Sequence, residues 1–126
     1  MLFKINDIEY FSPLSSPKEK HARFKQTIDF IKIANGELGI INLNNMIPVT
    51  KNNYQIINYN KYDSSIFHDL KYYRLQIKEI LCLNRNKQKI IIKASKLYDK
   101  YINNTLNEYI KNRCCNFKLL EKMWKI

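Results

Sequence analysis

Two adjacent hydroxyls, Ser15 and Ser16, are followed closely by an ammonium at Lys18, a second at Lys20 and an imidazole at His21. Groups of these types can hold an oxyanion and move a proton. The stretch is Phe11-Ser12-Pro13-Leu14-Ser15-Ser16-Pro17-Lys18-Glu19-Lys20-His21. Within it, Ser16-Pro17-Lys18-Glu19 has the pattern of a helix start: Ser at the cap, Pro at the first helical position, Glu three residues after the cap. One reading makes Ser16 a helix cap and nothing more. The other uses the same geometry. A helix N-terminus offers free N–H groups and a positive dipole end to a phosphate. The hydroxyls and Lys18 beside it make an oxyanion site, and His21 or Lys20 is a titratable group within one turn. These parts suit phosphodiester cleavage by a neighbouring ribose 2′-hydroxyl. That reaction needs a base, a proton donor and charge neutralisation at phosphorus, but no metal. The acids are few and scattered, without H-E-x-x-H or a paired-carboxylate cluster, so neither a metal centre nor a cofactor is expected.

Two stripes of positive charge follow. Lys89, Lys93, Lys96 and Lys100 step by four, three and four and so form one stripe, and Lys71, Arg74 and Lys78, stepping by three and four, form another on the preceding segment. Each stripe borders an apolar one, where lysine stems can cover the edge of a core. A solvated face is the plain reading. A groove for a polyanion is the other, and the nearly unopposed charge favours it. Tyr54, Tyr59 and Tyr62, in an Asn-rich region, are candidates for stacking on unpaired bases. His68 reads as a surface histidine near a helix start.

The elements that must position these groups divide by half. Leu2–Ile5 and Ile8–Phe11 flank Asn6-Asp7, two residues that tolerate the positive φ of a tight hairpin turn. Residues 28–33 and 38–43 flank Asn35-Gly36, a second hairpin signal. Residues 46–49 contain Pro48, which favours an edge or strand end, and 54–57 form another short strand candidate. Asp63, Ser64 or Ser65 can cap a helix running to about Leu83, with Ile66, Leu70, Tyr73, Ile77 and Ile80 along one face. A second helix is predicted over 87–102, with Ile90, Ala94, Leu97 and Tyr101 on one stripe. Asn116 can cap a last helix over 117–125. Strands followed by helices predict an α+β domain: a small antiparallel sheet or barrel with helices laid against it.

The chain has 126 residues, a net charge of +11, 45% hydrophobic and 26% charged residues, two glycines and three prolines. That composition is globular, and the length fits a single domain over 1–126. The charge is uneven. Residues 1–60 carry seven Lys/Arg against five Asp/Glu, and residues 61–126 carry fifteen against six. A basic half on a small domain points to nucleic acid. The apolar runs are far shorter than the ~20 residues of a membrane span, and the start, Met1-Leu2-Phe3-Lys4, lacks a signal-peptide pattern. Cys82, Cys114 and Cys115 are odd in number, without C-x-x-C, and read as reduced, core-packed thiols of a cytoplasmic protein.

Three blocks, in order, resemble a known family. Pro13-Leu14-Ser15-Ser16-Pro17-Lys18-Glu19-Lys20-His21 resembles P-L-[ST]-S-P-K-x-x-H. The run from Leu38 to Val49, Leu-Gly-Ile-Ile-Asn-Leu-Asn-Asn-Met-Ile-Pro-Val, resembles L-G-x-I-N-L-x-x-M-I-P. Arg113-Cys114-Cys115-Asn116-Phe117-Lys118-Leu119-Leu120-Glu121 resembles C-[DN]-F-x-L-L-E. Tyr72, Leu75, Gln76, Ile90, Lys93 and Leu97 sit where the family's two long helices would be. The pattern is that of the ToxN/AbiQ endoribonucleases, toxins of type III toxin–antitoxin systems. The resemblance implies a metal-independent RNase leaving a 2′,3′-cyclic phosphate and a 5′-hydroxyl. It implies inhibition by a repeated RNA pseudoknot that fills the basic groove, in closed toxin–RNA assemblies. By motif, Ser15 takes the family's Thr/Ser position, Ser16 its essential serine and Lys18 its essential lysine. His21 or Lys20 would carry the proton. Family members also have a segment before the first strand seen here. Its absence would leave a strand edge unpaired and the pocket short of a wall. The rival expectation is therefore a module that binds the antitoxin RNA without turnover. A DNA-binding protein is disfavoured by the lack of a helix-turn-helix signature and the scarcity of arginine for base readout.

Overall fold

A computed structural model describes residues 1–67 and 69–124. Among the described residues, six short strands, interrupted by one short helix, precede four further helices: β1 (Leu2–Ile5), β2 (Ile8–Phe11), β3 (Leu14–Ser15), α1 (Glu19–Arg23), β4 (Ile31–Lys32), β5 (Ile40–Ile41), β6 (Ile47–Pro48), α2 (Leu70–Arg85), α3 (Lys87–Ile102), α4 (Glu108–Lys111) and α5 (Phe117–Met123). The α+β expectation holds. Its single sheet becomes two three-stranded antiparallel sheets, ordered β1-β2-β6 and β3-β5-β4.

The first hairpin forms as its turn residues predict. Asn6 and Asp7 both take positive φ, 50° and 65°, which matches the twist of the flanking strands. Leu2 then pairs with Phe11 and Ile5 with Ile8. Pairing of this kind turns Phe3, Ile5 and Tyr10 into the core. Pro48 sits in β6, an edge strand, opposite Tyr10, where its missing N–H costs the ladder nothing.

The second hairpin is much shorter than predicted. Ala34, Asn35 and Gly36 all have positive φ, so the Asn35-Gly36 turn widens into a helical loop, Ile33–Gly36. Only two residues of each predicted strand remain paired, Ile31 with Ile41 and Lys32 with Ile40. Gly36 is required there: a methyl in its place would lie 2.8 Å from the His21 carbonyl carbon and 2.9 Å from the Ala22 nitrogen. Residues 54–57 do not form a strand. The Tyr54 hydroxyl instead donates to Glu9 Oε2 at 2.9 Å.

α3 follows its periodicity, and α2 only in part: Ile66 lies before the helix and is exposed, Leu70 is exposed, Ile77 and Ile80 are half-buried, and Tyr73 is buried. Asn86 joins α2 to α3, its amide donating to the Cys82 carbonyl at 2.8 Å. α3 has the predicted bounds and buries Ile90, Ala94, Leu97 and Tyr98. α2 starts later than predicted. Asp63 closes its own turn, accepting from Ser65 N at 2.9 Å and Ser65 Oγ at 2.6 Å. Asp69 caps the helix instead, accepting from Tyr72 N at 2.6 Å. Asn116 caps α5 as predicted, while Lys125 and His68 lie outside the described residues.

α5 locks the first sheet to α3. Phe117 is fully buried, edge-on to Tyr10 and stacked on Tyr98 at 6.1 Å. Glu121 bridges both phenols, accepting from Tyr10 at 2.6 Å and from Tyr98 at 3.0 Å. Phe117 and Glu121 are thus core pins, which explains the third sequence block in structural terms. Cys82, Cys114 and Cys115 are free thiols against the core. Burial pushes Cys114 up to about 11, so it stays protonated at neutral pH.

Candidate functional site

Ser15 and Ser16 leave β3 at the rim of a pocket of about 180 Å³. Its other walls are Leu14, Tyr59 from the long loop before α2, and Tyr72, Gln76, Glu79 and Ile80 from α2. Two features of the 38–49 block position the serines. The Asn42 amide donates to Ser15 Oγ at 2.7 Å, and its carbonyl accepts from Ser12 Oγ at 3.0 Å. With its lone pair so engaged, Ser15 keeps its O–H to donate to a bound anion. Gly39, at φ +108°, lets β5 approach β3 so closely that any Cβ would overlap the Ser15 carbonyl.

The predicted helix start is corrected by two residues. Lys18, not Ser16, is the N-cap of α1, with Pro17 still outside the helix. The Lys18 N–H donates to His21 Nδ1 at 3.2 Å, and His21 N donates back to the Lys18 carbonyl at 2.9 Å. The imidazole therefore fills the role expected of Glu19, because it sits three residues after the true cap. Ser16 is left exposed at the pocket rim.

This placement takes His21 out of the pocket. Its side chain is 3% exposed. Burial lowers its pKa, with Lys20 and Lys18 adding to the effect, so the ring is neutral and carries its hydrogen on Nε2. Lys18 and Lys20 are exposed on the short helix, and Lys20 lies 5.7 Å from the centre of the Phe24 ring. Neither ammonium lines the pocket.

The two basic stripes meet on one surface. Tyr72 is shared by the serine pocket and a groove holding Lys71, Arg74 and Lys78 against Pro17 and Leu38. Lys78 continues that groove to Arg85. Beyond Ala34 and Cys82 lie Lys32, Lys89 and Lys93, and Lys93 is shared with a depression reaching Lys96. The result is a chain of adjoining depressions with a cation at each step, leading away from the two hydroxyls. Glu37 and Asp69 also border it. Lys100 extends the α3 stripe by a turn and lines none of these depressions. Lys32 and Arg85 also belong to the track; Arg85 lies on the Lys71–Arg74–Lys78 stripe, seven residues after Lys78, whereas Lys32 carries no periodic signal in the sequence.

Of the tyrosines considered for stacking, Tyr59 lines the pocket. Tyr62 stacks on Tyr73 at 5.5 Å and 11° and remains 41% exposed. Tyr54 is occupied by Glu9. The residue that sequence reasoning missed is Glu79, 93% buried and lining the pocket. Burial raises its pKa, and the ammonium at Met1 draws it partly back. Its signal was available: Tyr72, Gln76 and Glu79 step by four and three, a polar stripe on an amphipathic helix. Among the described residues, no group of three or more His, Cys, Asp or Glu side chains converges as a metal site would require. No described helix is long and apolar enough to cross a membrane.

Fold and site together define a basic α+β protein with a hydroxyl-bearing pocket at one end of a cationic track. The family model for the toxin ToxN of type III toxin–antitoxin systems matches residues 1–125, and the chain belongs to that family. The endoribonuclease ToxN of Bacillus thuringiensis subsp. kurstaki is 28% identical over 126 residues, covering 97% of this chain and 63% of the relative. The endoribonuclease ToxN of Pectobacterium atrosepticum is 27% identical, covering 99% of this chain and 71% of the relative. The chain thus spans about two thirds of the length of these relatives. One similar solved structure, described under "A processed non-coding RNA regulates a bacterial antiviral system", superposes with a TM-score of 0.77 at 25% identity, covering 97% of this chain and 73% of the other. A second concerns selective toxin inhibition by a non-coding RNA pseudoknot. It superposes at 0.74 with 26% identity, covering 98% and 74%.

Proposed function

We propose that this chain is an endoribonuclease toxin that cuts RNA by attack of a ribose 2′-hydroxyl on the adjacent phosphorus. The products would be a 2′,3′-cyclic phosphate and a 5′-hydroxyl, with no metal ion required. The observation that carries this reading is the junction at Tyr72, where the Ser15/Ser16 pocket opens onto the cationic track. The track neutralises the backbone of a single strand and leads it to two hydroxyls that can grip one phosphate. Ser15, aligned by Asn42, and Ser16 donate to the non-bridging oxygens. Lys18 follows Ser16 by two residues on an exposed backbone turn, and its ammonium swings to the phosphate as charge builds in the transition state. His21, buried and hydrogen-bonded through Nδ1, orders this turn and is a positioning residue.

The relatives' name, endoribonuclease, and the pseudoknot inhibition described for a similar structure support the same reading. By extension, the inhibitor here is a structured RNA laid along the track in a larger toxin–RNA assembly. The described fold acts as one cytoplasmic domain, with residues 1–126 carrying both pocket and track.

The test is cleavage of a long RNA by the purified chain in EDTA, with the cut ends mapped. Cuts bearing 5′-hydroxyls, lost in Ser16→Ala and Lys18→Ala, are the expected result. Salt-sensitive binding without cuts would overturn the enzyme reading and leave an RNA-capturing module. Equal competition by duplex DNA would overturn the RNA reading altogether.

A further inference from the structure

We propose that Glu79 is the general base that takes the proton from the attacking 2′-hydroxyl. The inference rests on the RNA-cleaving reading above and assigns the proton step that the serines and lysines leave open. A serine hydroxyl cannot accept that proton at neutral pH, and no lysine or arginine is among the described residues lining the pocket. His21 is buried in the α1 cap, with Nδ1 already accepting from Lys18 N–H. The remaining pocket walls are two phenols, one amide and aliphatic carbons. Among the described residues lining the pocket, Glu79 alone is a carboxylate.

Its placement suits the task. Glu79 lies in the interior of a 16-residue helix, so its backbone is fixed relative to the serines across the pocket. Gln76 and Tyr72 share its helix face and hold the wall on either side. A carboxylate kept from water is a stronger base than one on the surface, which fits the raised pKa of this group. The titratable groups facing it are the Tyr59 and Tyr72 phenols and the Met1 amino group, whose pKa burial lowers to about 6.

The step balances without a co-reactant. The 2′-proton moves to the Glu79 carboxylate as the O2′–P bond forms. The P–O5′ bond breaks, and the leaving 5′-oxygen takes a proton from water. Glu79 then returns its proton to solvent.

The test follows single-turnover cleavage of a short oligoribonucleotide spanning one mapped cut. Glu79→Gln should lose about 10²–10⁴ in rate, with Glu79→Asp recovering part of it. Affinity for the analogue with a 2′-deoxy sugar at the cut should be unchanged, and so should the melting temperature. In the wild type the rate should rise with pH on the acid side, and Glu79→Gln should lose that limb. A wild-type profile without an acid limb would overturn the proposal whether or not the variants fold. So would a Gln variant that cuts within tenfold of the wild type. A wild-type chain that never cuts RNA would overturn both this proposal and the function it rests on. Loss confined to Glu79→Gln would support both.

Discussion

The Asn42 amide donates to Ser15 Oγ at 2.7 Å across the β3–β5 pair, 27 residues away in the chain. That bond fixes the orientation of a hydroxyl that the sequence presents only as one of two neighbours. Asn42→Ala keeps the backbone bond from Asn42 N to the Pro13 carbonyl but frees the Ser15 rotamer. The expected outcome is a fall in cleavage rate of roughly tenfold to a hundredfold, with about 1 kcal/mol of stability lost. Rate measurements alongside urea denaturation check both halves.

Ser16→Ala and Lys18→Ala should each reduce cleavage by about 10²–10³. Because Ser16 is not the cap of α1, its truncation should leave the melting temperature unmoved. A drop of the size usual for a lost cap would mean that Ser16, and not Lys18, starts the helix. Unchanged cleavage in both variants would remove them from the site.

The track makes a prediction about salt. If the track contacts about six phosphates of a single strand, log Kd should vary with log salt with a slope of about 4 in magnitude. Lys78→Ala and Lys93→Ala sit at the junctions between adjoining depressions. Each should lower that slope by about 0.7, whereas Lys100→Ala should leave it nearly unchanged. Filter binding across a salt series separates the two outcomes.

Asp29 is fully buried, held by Thr27, by Asn44 Nδ2 at 2.9 Å and by the Arg113 guanidinium at 2.8 Å. The cluster ties the segment before α5 to the second sheet, with Cys115 N donating to the Asn44 carbonyl. Asp29→Ala strips the half-buried Thr27 and Asn44 and the exposed Arg113 guanidinium of their acceptor and should cost about 1–3 kcal/mol. A chemical-denaturation midpoint close to that of the wild type would contradict this.

His21 gives the stability curve a sign. Its folded pKa lies below that of an exposed histidine, so the unfolded chain binds the extra proton more readily. Its contribution is present above the unfolded value of about 6.5 and is lost as pH falls through the folded pKa. Protonating Nδ1 also breaks the bond from Lys18 N–H. His21→Gln supplies an acceptor at the same position and does not titrate. Thermal melts from pH 7 to pH 5 should show the wild type losing stability relative to this variant. Parallel curves would refute the assignment.

Local rules make much of the fold legible in the sequence. Asn6-Asp7 announced the first hairpin, Pro48 an edge strand, Asn116 a cap, and the apolar stripe of α3 its full length. Each depends on residues within a turn or two of one another, where φ preferences, capping and periodicity act. The same rules misjudged Ser16, because Lys18 and His21 close a tighter cap than Ser16 and Glu19. They overran β4 and β5, because the turn at Ala34–Gly36 must yield to the backbone of α1. The catalytic candidates split along the same line. Ser15, Ser16 and Lys18 are neighbours and could be read from the chain. Glu79, Asn42, Lys32 and Arg85 reach the site only when β3, β5 and α2 come together. Tertiary packing alone decided that two separate basic stripes form one track and that a carboxylate of α2 is buried beside the hydroxyls of Ser15 and Ser16 at the end of β3. No pattern within a single segment encodes a contact between residues more than 60 positions apart.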